Sequence, residues 1–180
     1  MRNILVIDGQ GGKLGRLLVE SLRQSGTYHI TAVGTNAIAT SNMLRGEPDE
    51  AATGENAVRV CSRRADVICG PIGIVIADAM NGEVTPAIAL AVGRADAVRV
   101  LIPMNRLTLN RLTSHRQCAN RVAGIRDIPM AELVRDAVRQ IAALCAPETA
   151  AEPELAAEPE SAAEPASAEK PEDPIDGQEG

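Results

Sequence analysis

The sequence predicts an α/β fold with a mostly parallel sheet, on three observations. Short apolar runs alternate with amphipathic helical patterns along the chain. The first apolar run passes through a glycine-rich loop directly into a helix. Aromatic residues make up only 1% of the chain against 45% hydrophobic residues, which argues against an all-β sandwich. At 180 residues there is room for one domain with a sizeable core, and not for two ordinary ones. Parallel crossovers are right-handed, so the economical arrangement is a Rossmann-like three-layer sandwich over residues 1–146.

Each element has its own signal. Ile4–Ile7 is a continuous apolar run, as a strand buried on both faces requires. Leu14, Leu17, Leu18 and Leu22 then repeat at helical spacing, and Gly26 stops the helix. Tyr28–Val33 reads as the second strand, Asn36–Arg45 as a short helix and Glu55–Arg64 as another. Asp66–Cys69 is a strand ending at Gly70-Pro71, and the apolar Ile74–Met80 is expected to be helical. Thr85-Pro86 starts a helix, with threonine as cap and proline in the first turn. Ala97–Ile102 is a strand ending at Pro103, and Arg121–Ile125 a further short one. Met130–Leu144 is the clearest helix, with Leu133, Val134, Ala137, Val138 and Ile141 on one face.

The charges are segregated. Residues 1–146 hold 17 Lys and Arg against 13 Asp and Glu, a net charge of +4. Residues 147–180 hold 11 acids against Lys170 alone, a net of −10, which gives −6 for the chain. In that tail Ala-Ala-Glu-Pro recurs at 150–153, 156–159 and 162–165. Regular prolines, like charges and scarce apolar side chains make it a disordered acidic tail, available to a basic partner or acting as a solvating arm. The mild, scattered basicity of the remainder suits an anionic small molecule and is too weak for a nucleic-acid groove. A single aromatic ring, Tyr28, also leaves no platform for stacking bases.

Cys61, Cys69, Cys118 and Cys145 lie far apart, and the two histidines, His29 and His115, complete no zinc pattern, so no metal is expected. Cys69 and Cys145 sit in apolar runs and read as buried thiols. Neither a signal peptide nor a membrane-spanning run is visible, and a cytoplasmic location is the default expectation.

Ligands in parallel α/β sheets sit beyond the carboxyl ends of the strands. Here those ends are Asp8–Lys13, Gly34–Asn36, Gly70–Gly73 and Pro103–Asn105. The loop Asp8-Gly9-Gln10-Gly11-Gly12-Lys13-Leu14-Gly15 fits GxxGxxG through Gly9, Gly12 and Gly15. That spacing resembles the cofactor loop of extended short-chain dehydrogenases. In such a loop the first glycine permits the turn, the second lets amides approach a phosphate, and the third allows close helix packing. Gly11 and Gly12 are expected to supply amides at the helix N-terminus, and Lys13 a positive charge. Gly12→Val is expected to abolish binding with the fold largely intact. The other reading of the loop is a turn that only lets helix and strand pack.

Two features limit a dinucleotide assignment. The second strand ends in Thr35 and Asn36, neutral groups where an acid would take the ribose hydroxyls of NAD or an arginine the extra phosphate of NADP. The dehydrogenase Tyr–Lys pair is missing, since Ala32 stands four residues after Tyr28. Further candidates are Gly70, Pro71 and Gly73, close to the glycine loop, with Asp78 and Asn105. Thr53 or Gly54 is expected to cap the helix that Glu55 and Asn56 begin. Glu83 is expected in the turn before Thr85. Arg106–Arg121 reads as a long basic loop, solvated or open to an anion.

Together, Ile7–Gly12, Val33–Asn36, Ala52–Ala57, Gly70–Ala79 and Leu101–Asn105 resemble a small bacterial family, domain of unknown function 3842. The resemblance spans about residues 3–145. It implies a compact Rossmann-like unit and carries over no catalytic residue. The leading expectation is a protein that binds a phosphate-bearing ligand such as NAD, NADP or another nucleotide, through Gly9, Gln10, Gly11, Gly12, Lys13, Gly15, Thr35 and Asn36. The alternative is a non-catalytic interaction or regulatory subunit, with a protein partner or a second copy of itself. An enzyme using Asp8, Glu55 or Asp78 as acid or base is a third class, and no spacing selects a reaction.

Overall fold

The computed structural model describes residues 1–103 and 128–146. Asn105, the basic loop 106–121, the strand expected at 121–125 and the tail 147–180 lie outside the described residues.

Among the described residues five strands form one sheet: β1 (Arg2–Asp8), β2 (Tyr28–Gly34), β3 (Glu50–Thr53), β4 (Val67–Pro71) and β5 (Val98–Ile102). Their order is β3-β2-β1-β4-β5 and every pairing is parallel. The helices are α1 (Lys13–Ser25), α2 (Ala37–Leu44), α3 (Glu55–Cys61), α4 (Pro86–Arg94) and α5 (Met130–Cys145).

The apolar runs are continuous because both faces of the sheet are covered. Ile4 and Val6 of β1 enter one core, with Leu14, Leu18 and Leu22 of α1 and Val134, Ala137 and Ile141 of α5. Leu5 and Ile7 enter the opposite core, with Val58 of α3 and Ile88 and Val92 of α4. A strand alternates its side chains, so a run apolar at every position serves two layers at once. Each fully buried Ile or Leu contributes roughly 1.5–3 kcal/mol relative to exposure. Tyr28 and Cys69 join the first core, and burial pushes the Cys69 thiol up to about 12. No helix among the described residues is long and apolar enough to cross a membrane.

Two local readings need correction. Ile74–Met80 is not an α-helix: a single 3-10 turn covers Ile72–Val75, and a series of turns follows. Asp78, Met80, Asn81 and Gly82 all have positive φ, a conformation no right-handed helix contains. The second correction is β3, an edge strand that sequence patterning does not reveal. Its Glu-Ala-Ala-Thr is short, mostly exposed and without alternation. Its parallel pairing with Thr31–Gly34 defines it instead. Gly54 (φ 93°), and not Thr53, takes the cap position of α3.

Side chains cap two further helices, and the cap at Thr85 is the one expected from the sequence. Asn36 accepts the Ala39 amide at the start of α2, and Thr85 accepts that of Ile88 at the start of α4.

Candidate functional site

Strand order reverses around β1, whose neighbours β2 and β4 lead away in opposite directions. That reversal opens a crevice at the carboxyl ends of β1 and β4. The glycine loop lies there, between β1 and α1.

The loop is held at several points. Asp8 is buried, and its carboxylate accepts the Gly9 amide at 2.8 Å and the Gly15 amide at 2.7 Å. It thereby caps the first turn of α1, since Gly15 is the third residue of that helix. The Gly12 amide turns back to the Gly9 carbonyl at 2.9 Å. Asn36 Nδ2 holds the Gln10 carbonyl at 3.1 Å, and Asn42 Nδ2 holds the Gly11 carbonyl at 2.8 Å. Gln10 takes a positive φ of 50° to make the turn.

The element that completes the site arrives from far along the chain. Glu83, at the end of the turns between β4 and α4, places its Oε2 at the carboxyl end of β2. That oxygen accepts from the Gln10 amide at 2.7 Å, Thr35 Oγ1 at 2.6 Å and Asn36 Nδ2 at 2.8 Å. Its Oε1 makes no hydrogen bond among the described residues and is not sealed from solvent. Partial burial works against ionisation of Glu83, but the bonds from Thr35, Gln10 and Asn36 outweigh it and hold the carboxyl below its usual range.

Asp8 shifts the other way. Burial raises its pKa to about 6, the amides of Gly15 and Gly9 oppose the rise, and the nearby Glu83 charge adds to it. The folded protein thus holds this proton more tightly than the unfolded chain does. The resulting stabilisation is full below about pH 4 and is lost as pH rises through 6, on the order of 3 kcal/mol. Urea unfolding of the wild type and Asp8→Asn between pH 4 and 7 checks this. The wild type should lose stability relative to the variant across that window; a flat difference would place Asp8 in contact with water.

The expected site residues divide into three groups. Gly9, Gln10, Gly11, Gly12, Lys13, Gly15, Thr35 and Asn36 come together at the loop. Gly70 and Gly73 are close to it but face the protein: a Cβ on Gly70 would strike the Ile7 carbonyl of β1, and one on Gly73 would lie 3.3 Å from Met80 Cε. Pro71 ends β4, buried, and leads into the 3-10 turn. Asp78 does not join: it is exposed, and no side-chain hydrogen bond ties it to the loop among the described residues. The Asp8, Glu55 and Asp78 acids do not form one constellation, because Glu55 accepts from Thr85 Oγ1 at 2.7 Å beside α4. Among the described residues no three His, Cys, Asp or Glu side chains form a metal site.

The expectation for Gly12 also changes. Its φ is +64°, and an added Cβ would lie 2.6 Å from Ala39 Cα, so this glycine serves the packing of the loop on α2. Space remains above Gly11, where an added Cβ meets nothing within 4 Å. The amides of Gly11 and Lys13 make no backbone hydrogen bond among the described residues. Sequence reading missed the roles of Glu83 and Asn42, because both act through contacts remote along the chain.

The strand order, the buried parallel sheet and the glycine turn at the β1–α1 junction define a Rossmann-like α/β protein. The chain belongs to the family described as Domain of unknown function (DUF3842), which matches residues 3–146. No curated protein matches it. Among solved structures it is similar to a dodecameric FMN-dependent UbiX-like decarboxylase from Escherichia coli O157:H7. The two are 17% identical over 78% of this chain and 76% of that one, with a TM-score of 0.36.

Proposed function

We propose that the chain binds a phosphate-bearing small molecule of the nucleotide or dinucleotide class at the carboxyl-end crevice where the glycine loop after β1 lies. The observation that carries this reading is Glu83. Dinucleotide-binding folds place an acid at the end of the second strand to accept ribose hydroxyls. Here β2 is followed by neutral Thr35 and Asn36, and their side chains donate to Glu83 Oε2, which brings an acid beside the end of that strand. Three donors anchor one oxygen and keep the group ionised, while Oε1 is left for a ligand hydroxyl. The Gly11 and Lys13 amides, which make no backbone hydrogen bond among the described residues, lie at the positive end of α1 and with the Lys13 ammonium supply the phosphate end.

A second reading has its own observation. The amides of Gly9, Gln10 and Gly15 are already bonded to the Asp8 and Glu83 carboxylates. A loop satisfied in this way can be a packing turn, in a non-catalytic interaction or regulatory subunit.

Thermal and calorimetric titration of the full chain with NAD, NADP, ATP, GTP, S-adenosylmethionine and coenzyme A separates the two. A ligand at a hundredfold excess over its Kd stabilises the native state by about 2.7 kcal/mol. One member of the panel is expected to do so, and Gly11→Val, which has room for its side chain, is expected to remove the effect without unfolding the protein. Silence across the panel favours the interaction subunit.

A further inference from the structure

Two carboxylates hold the glycine loop from within. Asp8, the last residue of β1, is buried and accepts the Gly9 amide at 2.8 Å and the Gly15 amide at 2.7 Å, one at each end of the loop. Glu83 accepts the Gln10 amide between them. Gly15 belongs to the first turn of α1, so the Asp8 charge sits at the positive end of the helix that a bound phosphate would also face.

The elements around Asp8 bring it a second negative charge and no paired cation. On β2, Gly34 stands opposite Asp8 and neutral Thr35 follows. From β4, Gly70 approaches the backbone of Ile7 without a side chain. From α2, Met43 reaches the space at Gly15 beside the Asp8 Cβ. On α1, Lys13 is exposed and Arg16 pairs with Glu20. The turns before α4 bring Glu83, whose charge opposes that of Asp8, while Asp78 there is exposed. A ligand phosphate at the Gly11 and Lys13 amides adds a third negative charge, and charges in a partly buried site are weakly screened. Three donors hold Glu83 ionised, so Asp8 is the group that can give up its charge. Burial has already moved it towards the neutral form, with a pKa of about 6.

From this cluster we propose that the loop takes its anionic ligand together with one proton, which comes from solvent and forms an O–H bond on the Asp8 carboxylate. The inference rests on the nucleotide-class reading above and adds to it how that site responds to pH. The ligand raises the affinity of Asp8 for its proton, and by linkage the proton raises the affinity for the ligand. Binding is therefore tightest in acid, where Asp8 is already neutral, and weakens as pH rises through the range in which the complex releases the proton.

The probe is NAD, whose diphosphate has no second proton to lose near neutrality. Calorimetric titration of the full chain in two buffers of different ionisation heat counts the protons. Uptake of about half a proton per NAD is expected near pH 7, and affinity is expected to fall about fivefold to tenfold between about pH 6 and pH 8, as a carboxyl that titrates near 6 in the free protein and higher in the complex requires. Asp8→Asn, which fixes a neutral side chain, is expected to bind NAD with no proton uptake and with level affinity over that range. Histidine is another side chain that ordinarily titrates near neutrality. His29→Gln, at the far end of β2, is expected to keep both the uptake and the pH dependence of the wild type. NAD bound by the wild type without proton uptake overturns the coupling and leaves the loop as a site, and this result stands whether or not Asp8→Asn folds. Uptake that persists in Asp8→Asn, or is lost in His29→Gln, overturns Asp8 as the acceptor. Absence of NAD binding across the range overturns the coupling and, for this ligand, the loop reading as well.

Discussion

Gly12→Val destabilises the chain by about 3 kcal/mol or more, and Gly11→Val, one residue away, changes stability by less than about 1 kcal/mol. The difference follows from the backbone and the neighbours. Gly12 has a φ of +64°, where a β-branched residue is strained by roughly 1–3 kcal/mol. A Cβ there also runs into the backbone of Ala39, which cannot rotate aside as a side chain can. Overpacking of that kind adds about 1–3 kcal/mol. Gly11 has neither problem. Urea unfolding followed by circular dichroism measures both variants. Equal midpoints would mean that the loop stands clear of α2. Loss of ligand binding in Gly12→Val therefore says nothing about phosphate contact, and Gly11→Val is the informative substitution.

Glu83→Gln weakens binding of a ribonucleotide by about tenfold to a hundredfold, and weakens its 2′,3′-dideoxy counterpart far less. A neutral amide accepts a hydroxyl less strongly than a carboxylate, and bonds to charged groups contribute about 1.5–3 kcal/mol. Oε1, which makes no hydrogen bond among the described residues, is the atom that makes the difference depend on the sugar. Glu83→Ala has a second effect, because it leaves the Gln10 amide, Thr35 Oγ1 and Asn36 Nδ2 without their shared acceptor. Unfilled donors in a partly buried site cost about 1–3 kcal/mol, so this variant is also less stable. Calorimetry with paired ribo- and dideoxynucleotides is the check. If Glu83→Gln lowers both affinities alike, the carboxylate fixes the loop and touches no sugar.

What was legible in the sequence was what is local. Ile4–Ile7 announces a strand buried on both faces because every position is apolar. Thr85-Pro86 announces a helix start because a hydroxyl cap and a fixed φ act within three residues. The glycine loop is visible for the same reason, since turn, helix and strand adjoin. Ile74–Met80 misleads because apolar composition without a clear period fits a buried turn as well as a helix; the left-handed residues from Asp78 to Gly82 decide it. β3 is invisible because its pairing with β2, and not its side chains, makes it a strand. Glu83 is the most consequential omission. Its bond to Gln10 crosses 73 residues, and nothing near Glu83 distinguishes it from an ordinary turn acid. An acid does stand beside the end of β2, but no pattern at β2 says where it comes from.

The central position of β1 has a consequence for how the chain is made. Its partner on one side, β2, follows after a single helix, but on the other side Ile4 pairs with Val67. At synthesis rates of roughly 5–20 residues per second, β1 waits on the order of 3–12 seconds for that second neighbour. During that interval β1–β2–β3 can form, while one edge of the most apolar strand keeps its amides and carbonyls unpaired. The nascent chain is then at its most aggregation-prone just before β4 leaves the ribosome, and the same contact of high sequence separation sets a slow step in refolding from denaturant.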